Sequence, residues 1–154
     1  MPGQPPSSTD PPGAPAPRLR QDHEPPPVAA EGWRYHHLGI PTDTPHPGET
    51  YLAEYKLWVS GFETSPYGIE WMRFAPDSPV AGLIRAVPHI AFEVDDLDVA
   101  LAGREILTPP NSPSAGVRVA MIVHNGAPVE LIEFRSRHLS RKEGNPTATT
   151  CSRT

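Results

Sequence analysis

Pro88-His89-Ile90-Ala91-Phe92-Glu93-Val94-Asp95-Asp96-Leu97 is the stretch from which the fold can be read. Side chains on a strand alternate in direction, so Ile90, Phe92 and Val94 share an apolar face suited to packing under a helix. His89, Ala91 and Glu93 share the other face. The helix follows at once: Asp95 or Asp96 can accept a bond from the free N–H groups of a first turn, and Leu97, Ala100, Leu101 and Ile106 fall at helical spacing. Further on, the proline-rich Thr108–Gly116 reads as a loop and Val117–Val123 as a strand. Asn125-Gly126 reads as the hairpin turn into Val129–Phe134.

The same order occurs earlier in the chain. His37-Leu38-Gly39-Ile40 sets over His89-Ile90-Ala91-Phe92 as a histidine, an apolar residue, a small residue and an apolar residue. Ile69-Glu70-Trp71-Met72-Arg73-Phe74 sets over Val129-Glu130-Leu131-Ile132-Glu133-Phe134 in the same way. The histidine and glutamate stand 33 positions apart in the first half and 41 in the second, which points to a duplicated supersecondary unit. Between them Tyr51–Val59 alternates as a further strand, Gly61–Gly68 is rich in turn residues, and Ala75–Pro88 reads as a linker with one helical turn near Gly82–Arg85.

If the halves pair across a pseudo-twofold axis, His37, Glu70, His89 and Glu130 converge on one concave surface. Two imidazoles and two carboxylates suit a divalent ion such as Zn, Ni, Fe, Mn or Co, with water completing its coordination. Such an ion polarises a carbonyl or enolate oxygen while a weakly held carboxylate moves a proton beside it. His36 competes with His37 for the first position. The face pattern favours His37, because Gly39 and Pro41 then correspond to Ala91 and Glu93.

Other residues carry weaker signals. Glu93 is a candidate proton relay and Glu133 reads as solvated. Tyr51, Tyr55, Trp58, Trp71, Met72 and Phe74 suit a pocket wall, a core or a dimer face. Arg73, Arg118 and Arg135 are of the type that grips a carboxylate or phosphate, although each reads better singly as a surface arginine.

Composition bounds what surrounds this domain. Of 154 residues 22 are proline, and 10 of these fall in the first 27 positions, so residues 1–31 form a Pro-rich leader that buries too little apolar surface to order. Residues 136–154 read as a polar tail. One domain, 32–135, remains, with module one at about 32–75 and module two at about 88–135. Cys151 is the single cysteine, so neither an intramolecular disulfide nor a Cys-based zinc site is possible, and a reduced, cytoplasmic setting is expected. With 13 Lys and Arg against 18 Asp and Glu, nucleic acid is not an expected partner. Neither a membrane-spanning apolar run nor the basic-then-apolar order of a signal peptide is present, so no membrane partner is expected.

The four quoted strands, together with Pro88–Leu97, resemble the glyoxalase-like, vicinal oxygen chelate superfamily over about residues 33–135. That resemblance implies an α+β fold of paired βαβββ modules forming an open, strongly curved, barrel-like sheet. It places His37, Glu70, His89 and Glu130 on four metal-ligand positions. It further implies a small oxygen-rich substrate and a homodimer. The activity it suggests is that of a metal-dependent lyase or isomerase working through a metal-stabilised enolate, with Glu70 or Glu130 as base. The alternatives are an extradiol-type dioxygenase and a non-catalytic protein that sequesters a small molecule. Module one departs from the pattern: Pro45, Pro47 and Gly48 leave no room for its helix, so its sheet face must be covered otherwise, for example by a dimer partner.

Overall fold

A computed structural model describes residues 27–135. Most of the expected leader (1–26), the expected tail (136–154) and Cys151 lie outside the described residues. Pro27–Glu31 forms a 3-10 turn leading into β1. Module one contains β1 (Arg34–Pro41), β2 (Thr50–Leu52), β3 (Leu57–Ser60) and β4 (Ile69–Phe74). The short helix α1 (Gly82–Ala86) sits in the linker. Module two contains β5 (His89–Glu93), α2 (Leu97–Leu101), β6 (Glu105–Ser114), β7 (Val117–His124) and β8 (Ala127–Phe134).

All eight strands join one mixed, curled sheet in the order β2-β3-β4-β1-β5-β8-β7-β6. β1 and β5 meet antiparallel at its centre. Each has its own module's last strand parallel on its other side, β4 beside β1 and β8 beside β5. This is the expected α+β fold of paired modules, with the helix of module one absent. Among the described residues no helix is long and apolar enough to cross a membrane.

Module two folds largely as its sequence indicates. Asp96 caps α2 by accepting the Val99 N–H at 3.0 Å. Leu97, Ala100 and Leu101 bury against Val94, Ala120, Ile122 and Leu131, and Phe92 packs onto this cluster. Asn125 (φ 50°) and Gly126 (φ 75°) both take the left-handed conformation that a two-residue hairpin requires, joining β7 to β8. Glu133 overturns the reading of it as solvated. It is 8% exposed, accepts the Leu97 N–H at 2.9 Å and pairs with Arg118 at 3.1 Å, so it closes the first turn of α2 from below.

Three other expectations are corrected. The helix stops at Leu101, because Gly103 (φ 71°) turns the chain into β6, and Ile106 is a strand residue. Thr108–Gly116 is mostly strand rather than loop. β6 lies at the sheet edge, where a proline withholds a donor that no neighbour needs, and its ladder to β7 is irregular between Thr108, Asn111 and Ser114. Tyr51–Val59 is a hairpin, because the chain turns at Lys56 (φ 49°) and pairs Leu52 with Leu57.

In module one the segment between β1 and β2 covers part of the sheet where a helix would lie. His46 stacks on Trp71, with ring centroids 4.4 Å apart. Glu49 accepts two bonds from Arg73 at 2.9 and 2.5 Å, and the Arg73 guanidinium lies 4.0 Å over Trp58. Trp58 and Trp71 therefore serve the outer face. Ile90, expected beneath the helix, remains 37% exposed, because α2 sits over β7 and β8 instead.

Candidate metal centre

The central register sets two rows of side chains across the sheet. Glu70, Gly39 and His89 stand side by side on β4, β1 and β5. His37, Ala91 and Glu130 stand side by side on β1, β5 and β8. Each row thus pairs a histidine with a glutamate across a residue of little bulk, and the pseudo-twofold axis between β1 and β5 relates the rows. Gly39 is required by space: a Cβ there would lie 2.0 Å from Cε1 of His89. Ala91 at the centre of the other row is fully buried.

These rows bring three donor atoms together. His37 Nε2 lies 3.2 Å from His89 Nε2 and 3.2 Å from Glu130 Oε2, and His89 Nε2 lies 3.4 Å from the same oxygen. An ion with ligand bonds of about 2.0–2.1 Å places neighbouring donors about 2.8–3.4 Å apart, from octahedral to tetrahedral geometry, so the trio can hold a divalent metal. His89 is 1% exposed and its Nδ1 has no partner among the described residues, so its polar contacts there run through Nε2, the atom turned to the trio. Glu70 stands apart, its Oε2 3.8 Å from His37 Nε2.

The groups set one another's charge. Burial acts to raise the Glu130 carboxyl, but hydrogen bonds from His37 and His89 outweigh it and lower the pKa to about 2. Burial acts against a charged His37, yet its bond to Glu130 and the nearby carboxylates leave its pKa raised. Glu70 lacks such a bond. Its burial, reinforced by Glu130 and opposed by His37 and His89, raises it above the ordinary carboxylate value.

A β-bulge explains the adjacent histidines. Tyr35 pairs with Phe92 and His37 with Ala91, so β1 carries one extra residue, His36, against β5. The bulge lets His36 Nδ1 approach to 2.8 Å of His37 Nδ1, while its ring stacks on Phe62. The two residues do not compete for one place: His37 Nε2 faces the trio and His36 holds the other side of that ring. Alternation alone carries no signal of this, because a bulge is defined by the partner strand.

A cavity of about 610 Å³ opens above the trio, and His37, Glu70, His89 and Glu130 all line it. Its apolar lining includes Leu57, Val59 and Met72 of module one, Ile84 of the linker helix, and Val119 and Met121 of module two. The Tyr55 hydroxyl, at the β2–β3 turn, donates to Asn111 Oδ1 of β6 at 3.3 Å and links the modules across this space. Of the weaker candidates, Tyr55 and Met72 line the cavity. Glu93 instead pairs with Arg34 at 3.1 Å, and Arg118 and Arg135 both contact Glu133.

Comparison with known proteins bears on the fold. The hypothetical protein BH1468 from Bacillus halodurans C-125 superposes with a TM-score of 0.51 at 18% identity, over 78% of this chain and 100% of that chain. Methylmalonyl-CoA epimerase from Mycobacterium tuberculosis gives a TM-score of 0.47 at 19% identity, over 69% of this chain and 91% of that chain. No protein-family model matches the sequence, and no curated protein is significantly similar to it. At such identity the likeness to BH1468 is one of overall fold alone.

Proposed function

We propose that the chain is a divalent-metal enzyme of lyase or isomerase type, in which His37, His89 and Glu130 hold the ion and Glu70 is the general base. The observation that carries this reading is the separation of the two carboxylates. Glu130 is tied to both imidazoles at 3.2 and 3.4 Å, whereas Glu70 lines the same cavity outside the trio. When bound, the ion supplies a Lewis acid for a substrate carbonyl. Glu70, left free, takes a proton from the carbon next to that carbonyl, and the apolar walls exclude water from the exchange. His36 keeps the His37 ring oriented through its Nδ1.

Two measurements test this. Protein purified without added metal is expected to carry about one divalent ion per chain, and H89A is expected to lose it. E70Q is expected to retain the ion while its exchange of such a proton with solvent deuterium falls about 100-fold or more. A wild-type chain free of divalent metal would refute the metal reading.

The trio of two histidines and one carboxylate favours a second reading, an Fe(II) dioxygenase, because that donor set leaves positions open for a substrate and dioxygen. Aerobic oxygen uptake by Fe(II)-loaded protein with a catechol separates the two readings.

A further inference from the structure

The charge of the cavity wall selects what enters it. Glu54, Glu70 and Glu130 line the cavity, and no lysine or arginine among the described residues does so. Among the described residues all of those cations but Arg85, which donates to the Pro76 carbonyl, are paired with carboxylates elsewhere. Arg73 is held by Glu49 over Trp58, Arg118 by Asp98 and Glu133, and Arg34 by Glu93 and Asp95. Lys56, at the base of the same turn that carries Glu54, is paired with Asp77.

From this we infer that the cavity takes a neutral, mainly apolar molecule that presents oxygen donors at one end, and turns away molecules carrying a carboxylate or phosphate at the other. The inference rests on the metal reading for the anchored end alone. Two carboxylates, Glu70 and Glu130, balance a divalent ion, which leaves Glu54 as uncompensated negative charge on the exposed β2–β3 turn. An anionic group reaching past the ion meets Leu57, Val59, Met72, Val119 and Met121. These offer neither a donor nor an opposite charge. Tyr55, Thr108 and Asn111, which also line the cavity, are neutral, and the Tyr55 hydroxyl and Asn111 amide already donate to Asn111 Oδ1 and the Pro109 carbonyl, so the anion gives up hydration without meeting an opposite charge. On β3, β4, β7 and β8 the backbone N–H groups are spent on the sheet ladder. A methyl ester or aryl group in the same place replaces water against apolar wall, which is favourable. The cavity's volume of about 610 Å³ is in the range of small-molecule sites.

The test uses the full chain loaded with zinc and two probes that share a pair of adjacent hydroxyls and differ in distal charge: methyl 3,4-dihydroxybenzoate and 3,4-dihydroxybenzoate. Calorimetric titration is expected to show the ester binding about tenfold or more tightly than the acid. E54K, a change at an exposed position, is expected to narrow that ratio by strengthening the acid. Equal or tighter binding of the acid by the wild-type chain overturns the inference, as does the absence of binding by either probe. An unaltered ratio in E54K removes Glu54 from it. Repetition after chelation with EDTA separates the two readings. If both affinities are unchanged while the ester still leads, the metal reading fails and the inferred ligand class stands. If both weaken and the ester still leads by about tenfold or more, both stand.

Discussion

Gly39 sets the position of a histidine by having no side chain. The His89 ring occupies the volume that a Cβ at residue 39 would fill, and both residues belong to central strands that have little room to shift. G39A is therefore expected to displace His89 and lower zinc affinity about ten- to a hundredfold, as disturbance of the groups around a ligand does. Titration with a competing chelator measures this. G82A, at a position where an added Cβ meets nothing within 4 Å, serves as the comparison and is expected to bind zinc as the parent does. The spacing of histidine, small residue and glutamate in both halves made Gly39 and Ala91 legible in the sequence as counterparts. That His89 lies against Gly39 of the other half needed the antiparallel β1–β5 register, which no local pattern encodes.

At the scale of elements, α2 is only five residues long and depends on what meets its first turn. Asp96 supplies one acceptor from the chain itself and Glu133 a second from β8. Removing the Glu133 carboxylate leaves the Leu97 N–H buried without a partner and Arg118 with Asp98 alone. E133A is thus expected to lower stability by about 1–3 kcal/mol in chemical denaturation, and E133Q by less. Glu133 read as solvated because charge on a strand usually faces water, and only the return of the helix over β8 buries it. β6 was hidden for a similar reason. Pro109, Pro110 and Pro113 signal a loop locally, and only its place at the sheet edge makes them tolerable in a strand. The β7–β8 hairpin, by contrast, was legible because Asn125-Gly126 supplies its own turn geometry.

Across the whole molecule, the trio draws His37 from module one and His89 and Glu130 from module two, so a bound ion ties both modules to one folded state. A ligand that binds the folded chain alone stabilises it by mass action, about 2.7 kcal/mol at a free concentration a hundred times the Kd. Zinc is accordingly expected to raise the melting temperature by roughly 10 °C or more, in a single transition that EDTA reverses. Calorimetry with and without the ion checks this, and two separate transitions in the zinc-loaded chain would contradict a shared centre. The same division of the site has an evolutionary side. A genetic crossover within residues 75–87 would pass His89 and Glu130 on together with α2 and the whole β6–β7–β8 meander, and would leave behind His37, Glu70 and the clearance at Gly39. A recombinant keeps the centre only if its new partner brings a strand with equal clearance, so the lineage of each half is constrained by the shape of the other.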